Sequence, residues 1–173
     1  MSLLRPLKAL VSVSLLAAAF VCSAAEFDAR VVKIPDGDTI TVISADGQKE
    51  RIRFLGIDAP ESKQEFGQDS KRSLEQILRG CGSQVKIVYK KRDNYGRIVG
   101  KVIACGKDVN LEQLKRGMAW AYRNYFRDVA PADKQYYLAA EENARKNRIG
   151  LWSQENPQEP WKWRSERRRN GGR

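Results

Sequence analysis

Histidine is missing from all 173 residues. That absence excludes the Ser-His-Asp hydrolases, histidine-based ribonuclease chemistry and histidine-ligated zinc. A general base must then be a carboxylate, a lysine, a tyrosine or a water on a metal. Any catalytic metal must be held largely by oxygen, which favours calcium, magnesium or manganese. Cysteine is scarce, with three in the chain, too few for a disulfide-built miniprotein. The only extended apolar run, Ala9 to Val21, is short for a membrane span. Arg5 and Lys8 precede it and Ser23-Ala24-Ala25 follow it, the layout of a secretory signal peptide. Cleavage is expected near Ala25, leaving a periplasmic or secreted protein that starts at Glu26. No later run is apolar enough to cross a bilayer, so no stable membrane insertion is expected.

Basic residues, by contrast, are in excess: 32 Lys and Arg against 21 Asp and Glu. Without Arg5 and Lys8 the balance is still 30 to 21. Such a surplus on a small domain points to a polyanion, nucleic acid before anionic lipid or glycan. The length divides into a signal peptide at 1–25, one domain at 26–152 and a basic tail at 153–173. The tail, rich in Pro, Gln, Trp and Arg, is expected to be disordered or loosely docked.

Within the domain, Phe27–Ile34, Thr39–Ser44 and Lys49–Ile57 read as strands, the last two joined by the turn signal Asp46-Gly47. Glu65–Arg79 has helical periodicity and Gly80 as its stop. Gln84–Lys91 and Arg97–Ala104 form a second hairpin around Asp93-Asn94-Tyr95-Gly96. Val109–Arg116 is a short helix. A longer one opens at Pro131, its inner face expected to be Tyr136, Tyr137, Ala140 and Ala144, and closes at Gly150. Trp120 and Trp152 are expected to pack in the core, whereas Trp161 and Trp163 sit among charges. The fold class is α+β: a five-stranded OB-type Greek-key β-barrel with about three packed helices. Cys81 and Cys105 are equidistant from residue 93, so they are expected to face each other across the second hairpin. In an oxidising compartment they would form a disulfide; two buried thiols are the alternative.

In the first hairpin, Asp36-Gly37-Asp38-Thr39 opens one strand and Arg53 to Asp58 closes the next. The antiparallel turn brings Asp38 and Asp58 to the same end of the sheet. Two carboxylates so close repel unless a cation lies between them. Glu61 follows after Ala59-Pro60, and the second hairpin offers Tyr95-Gly96-Arg97. Two metal carboxylates, one spare carboxylate and two guanidinium forks suit phosphodiester hydrolysis. Each signal alone is weak: Asp-Gly-Asp is commonly a turn, and Arg53 alone could be a surface residue.

Together, the segments 32–39 (VKIPDGDT), 51–61 (RIRFLGIDAPE), 93–97 (DNYGR) and Val109-Asn110 resemble the thermonuclease family, typified by staphylococcal nuclease. The resemblance runs from about Phe27 to Trp152. It implies a nuclease that cleaves DNA and RNA with Ca2+, leaving 3′-phosphate and 5′-hydroxyl ends. Asp38 and Asp58 match the family's calcium ligands, joined by the backbone carbonyl of Ala59. Arg53 and Arg97 match the phosphate-binding arginines, and Glu61 the glutamate that positions or activates water. Tyr95, and less directly Tyr125, match tyrosines flanking the nucleotide site. Two departures stand out: a shorter loop between Glu61 and Phe66, and Asn94 where the best known member has a phosphate-contacting lysine. Two rival readings stay open, a catalytically inactive OB-type module that only binds nucleic acid and a basic envelope protein held on anionic lipid or glycan by its tail. Nothing in the sequence calls for more than a monomer.

Overall fold

The computed structural model describes residues 24–171; the expected signal segment lies outside them except for Ala24 and Ala25. In chain order the elements are β1 (Ala25–Lys33), β2 (Thr39–Ser44), β3 (Lys49–Phe54), β4 (Ile57–Asp58), α1 (Gly67–Arg79), β5 (Gln84–Arg92), β6 (Ile98–Ala104), β7 (Lys107–Asp108), α2 (Val109–Lys115), β8 (Trp120–Ala121), α3 (Pro131–Lys146) and α4 (Pro160–Asn170). Short 3₁₀ turns at Arg123–Asp128 and Gly150–Ser153 link the last elements.

The strands run in the order β3-β2-β1-β5-β6, and a parallel pairing of β3 with β6 closes them into the expected five-stranded barrel. Alternation makes the closure possible. In β6, Ile98, Gly100, Val102 and Ala104 point inward while the residues between them are partly exposed, as a period of two requires. Ile40, Val42, Ile52, Phe54, Ile87 and Val102 fill the interior and are almost wholly shielded from solvent. α1, α2 and α3 extend this core through Leu74, Leu78, Leu114 and Tyr137. Among the described residues no helix is long and apolar enough to cross a membrane.

Three expectations need correction. Tyr136 is 64% exposed, and the inner face of α3 is instead Tyr137, Ala140, Glu141 and Ala144. Glu141 can be buried because its carboxylate accepts the Ala121 N–H and an Arg123 Nη2 proton, each at 2.9 Å. Cys81 and Cys105 do form a disulfide, but not across the hairpin. The β5–β6 hairpin pairs Arg92 with Ile98 and Lys86 with Ile103, so it is centred beyond residue 93, and both cysteines lie outside its strands. Cys81 lies in the turn leaving α1. Cys105 lies with Gly106 in the two-residue β6–β7 turn, both at positive φ (49° and 72°), the geometry of a tight hairpin. The bond therefore ties the end of α1 to that turn. Finally, residues 160–170 of the expected disordered tail form α4, a fourth helix that packs on the domain.

Candidate active site

The loop before β2 is shaped by its own side chains. Asp36 Oδ1 accepts the Asp38 N–H at 3.1 Å, a local turn that aspartate readily makes. A Cβ on Gly37 would lie 1.8 Å from Ser70 Oγ, so only glycine lets the loop settle on α1. Buried Gln113 donates from Nε2 to the Gly37 carbonyl at 2.8 Å and accepts from Ser73 Oγ at 2.7 Å. Asp38 thus emerges at the head of β2 beside the end of β3, where the Phe54 N–H meets its carbonyl at 2.9 Å.

From the other side, β4 brings in Asp58 by pairing with β8. Asp38 Oδ2 accepts the Ala59 N–H at 2.6 Å, which draws this strand end against the Asp38 loop. Arg53 locks the two carboxylates together. Its Nη1 lies 3.1 Å from Asp38 Oδ2 and its Nη2 lies 2.6 Å from Asp58 Oδ1. Nη1 also donates to the Phe54 and Ile57 carbonyls at 3.1 and 2.9 Å. The sequence expectation that Asp38 and Asp58 converge is met, and the shared guanidinium shows how closely.

The electrostatics show strain of one sign. Burial pushes the Asp36 carboxyl up to about 7, and the nearby Asp38 charge adds to the rise. Burial likewise pushes Asp58 up to about 6, against the pull of Arg53. Buried carboxylates whose charge is incompletely compensated favour the neutral form, a condition that a hard divalent cation relieves. Among the described residues no three His, Cys, Asp or Glu side chains gather as a metal cluster. A cation at this point would therefore depend on two carboxylates, a backbone carbonyl and water, a donor set calcium and magnesium accept.

Asp36, Asp38, Arg53, Asp58 and Ala59 open onto one cleft of about 470 Å3. Glu61 and Arg97 also line it. Glu61 sits on a loop folded back on α1: Gln64 N–H bonds the Glu61 carbonyl at 2.7 Å, and a Cβ on Gly67 would lie 1.9 Å from that oxygen. Arg97 is aimed by Asp93, which accepts its Nε–H at 2.7 Å and its backbone N–H at 3.0 Å. Tyr95, 81% exposed, lies beside it with the guanidinium 5.6 Å from its ring centroid. Tyr125, half exposed, lines the cleft from the far wall and packs on Tyr122 at 4.7 Å. Every residue singled out in the sequence as catalytic, metal-holding or substrate-binding therefore borders this cleft, and Cys81 and Cys105 do not.

One residue there went unforeseen. Arg164 of α4 donates from Nη2 to Asp58 Oδ2 at 2.9 Å, and from Nη1 to Glu61 Oε1 at 2.8 Å and Asp58 Oδ1 at 3.1 Å. In the sequence it stands between Trp163 and Ser165, just before the run Arg167-Arg168-Arg169, with no turn or strand end to mark it. The visible signal was Pro160-Trp161, a helix-starting proline followed by an aromatic residue able to dock.

A closed OB-type barrel with carboxylates and arginines converging at one end belongs to the class of nucleic-acid-handling α+β folds. The family model described as staphylococcal nuclease homologue matches residues 51–154, and the chain belongs to that family and is a nuclease. It is 40% identical over 149 residues to an uncharacterized endonuclease of Haemophilus influenzae, covering 86% of this chain and 79% of that one. It is 42% identical over 149 residues to a micrococcal nuclease of Shigella flexneri, covering 81% and 82%. A staphylococcal-like nuclease of Arabidopsis thaliana shares 42% identity over 123 residues, 70% of this chain and 35% of the plant protein.

Proposed function

We propose that the protein is an exported, calcium-dependent endonuclease that hydrolyses DNA and RNA without sequence preference, leaving 3′-phosphate and 5′-hydroxyl ends. The observation that carries this reading is the single guanidinium of Arg53 bonded to both Asp38 and Asp58 in a cleft shared with Glu61 and Arg97. Asp38, Asp58 and the Ala59 carbonyl would hold calcium, which supplies positive charge to the substrate phosphate and polarises water.

The chain's own groups perform the remainder. Glu61 orients the attacking water and accepts a proton from it as the oxygen bonds to phosphorus. Charge accumulates on the equatorial phosphate oxygens, where Arg97 presents a planar donor fork and Arg53 the Nε and Nη2 protons that its aspartates leave unengaged. The bond from phosphorus to the 5′ oxygen breaks, that oxygen takes a proton from solvent, and the phosphate stays on the 3′ oxygen. Tyr95 and Tyr125 offer ring faces to the bases on either side, a contact indifferent to sequence.

The test is degradation of single-stranded DNA and RNA by the protein from Glu26 onward, with calcium and with chelator, beside Arg97→Ala. Cleavage that needs calcium and disappears in Arg97→Ala is expected. Nucleic-acid binding with no cleavage at any divalent cation would instead establish the inactive binding module.

A further inference from the structure

The tail after the barrel domain is built into the cleft. Pro160 is buried at the first turn of α4. Trp161 stacks on Tyr122 with centroids 5.1 Å apart and planes 10° apart, and meets the edge of Trp120 at 5.7 Å. Just before the helix, the Gln158 carbonyl accepts from Gln64 Nε2 at 2.7 Å, and Gln64 belongs to the loop that carries Glu61. Arg164 lies three residues after Trp161, on the same helical face, and Arg168 one turn further also borders the cleft. The helix is thus moored at two points beside the carboxylates, and its arginine reaches in.

What Arg164 touches matters more than that it touches something. Its fork engages both oxygens of Asp58, whose side chain is 1% exposed, and also Glu61. No other side chain bonds the Glu61 carboxylate among the described residues. Arg53 uses only Oδ1 of Asp58, which leaves Oδ2 to Arg164 alone. A divalent cation that takes Asp58 must therefore displace Arg164 from it, while Arg53 need not leave on that account. Two cations that compete for one buried carboxylate are linked: each weakens the apparent affinity of the other by the same factor.

We propose that α4 is a wall of the active site and that Arg164 is a positioning residue, holding Asp58 and Glu61 in the metal-free protein and competing with the divalent cation for Asp58. This rests on the reading of Asp58 as a metal ligand. Uptake of metal and release of the helix arginine from Asp58 are then a single event, and the tail sets the cation concentration at which the nuclease becomes active.

Calorimetric titration of calcium into the chelator-stripped protein tests this, with wild type, Arg164→Ala, Arg164→Lys and Trp161→Ala compared. Arg164→Ala is expected to bind calcium about tenfold more tightly and to melt at a lower temperature in chelator. Arg164→Lys, which keeps the charge, should restore much of the competition. Trp161→Ala, which unmoors the helix without touching the carboxylates, should tighten binding as Arg164→Ala does. Unchanged or weaker calcium binding in Arg164→Ala, with the wild type binding normally, overturns the role of Arg164. A wild type that takes up no divalent cation overturns the metal reading itself, which separates the two failures.

Discussion

Arg53 and Arg97 border one cleft, yet their surroundings predict different consequences of removal. Arg97 is 23% exposed and, among the described residues, its only ion-pair partner is Asp93 on its own hairpin, so Arg97→Ala should lower the cleavage rate by several orders of magnitude and leave the melting temperature nearly unchanged. Arg53 is 14% exposed and compensates two buried aspartates. Breaking a buried pair by removing one partner costs about 3–5 kcal/mol, so Arg53→Ala in chelator should lose stability as well as activity. Saturating calcium should return part of that stability, because it replaces the missing charge. Paired thermal melts with and without calcium check both statements. A second prediction concerns pH. Asp36 and Asp58 sit above the ordinary carboxylate range, at about 7 and about 6. The folded metal-free protein thus holds protons that the unfolded chain has released, so these groups stabilise it at low pH. That contribution fades as pH rises from about 4 to about 7. Calcium needs the ionised forms, so its affinity should strengthen from pH 5.5 to 7.5; calorimetry at the two values would show it, and a flat profile would contradict it.

At the scale of elements, the parts readable in the sequence were those whose cause is local. Alternation in β6 and the turn at Asp46-Gly47 are local, so the first hairpin and the approach of Asp38 to Asp58 could be read from them, although the strand expected over Lys49–Ile57 ends at Phe54 and Asp58 arrives on β4, paired with β8. Tyr136 and Tyr137 are adjacent on a helix and only one can face inward; what decides it is Asp108, which accepts the Tyr137 hydroxyl at 2.9 Å from 29 positions away. The disulfide pair was legible but its setting was not, because the β5–β6 hairpin pairs Arg92 with Ile98 and so is centred beyond residue 93, an offset that nothing local in the sequence marks. Arg164 was hidden for the same reason: its partners lie 106 and 103 residues away. The corrected disulfide carries its own prediction. It closes a loop with a sequence separation of 24, for which the chain-entropy model gives about 3.5 kcal/mol. Neither cysteine lines the cleft, so replacing both with serine should lower the unfolding free energy from a denaturant titration by that amount while the rate per folded molecule stays constant.

The whole molecule is a strongly basic body whose cleft mixes both signs of charge. A net charge of +11 over the full sequence draws a polyanion from a distance, while five carboxylates, Asp36, Asp38, Asp58, Glu61 and Asp93, stand among lysine and arginine side chains in the cleft it must enter. Those charges act at different ranges. The excess of Lys and Arg over the surface attracts the backbone non-specifically and is screened within about 8–10 Å at physiological salt. Within the cleft, the arginines would meet a phosphate at hydrogen-bond distance, and the carboxylates would act on it through the cation they hold. Raising salt should therefore weaken substrate capture far more than the chemical step. Neutralising each phosphate releases roughly 0.7 counterions from a single strand, so the logarithm of KM for a long single-stranded substrate should rise linearly with the logarithm of salt concentration while kcat holds steady. Calcium must be kept saturating, since salt also screens its approach to the carboxylates. A dinucleotide, which spans only the cleft, should show a much shallower slope than the long strand. Equal slopes for the two would place all the binding charge in the cleft and leave the basic surface without a part in capture.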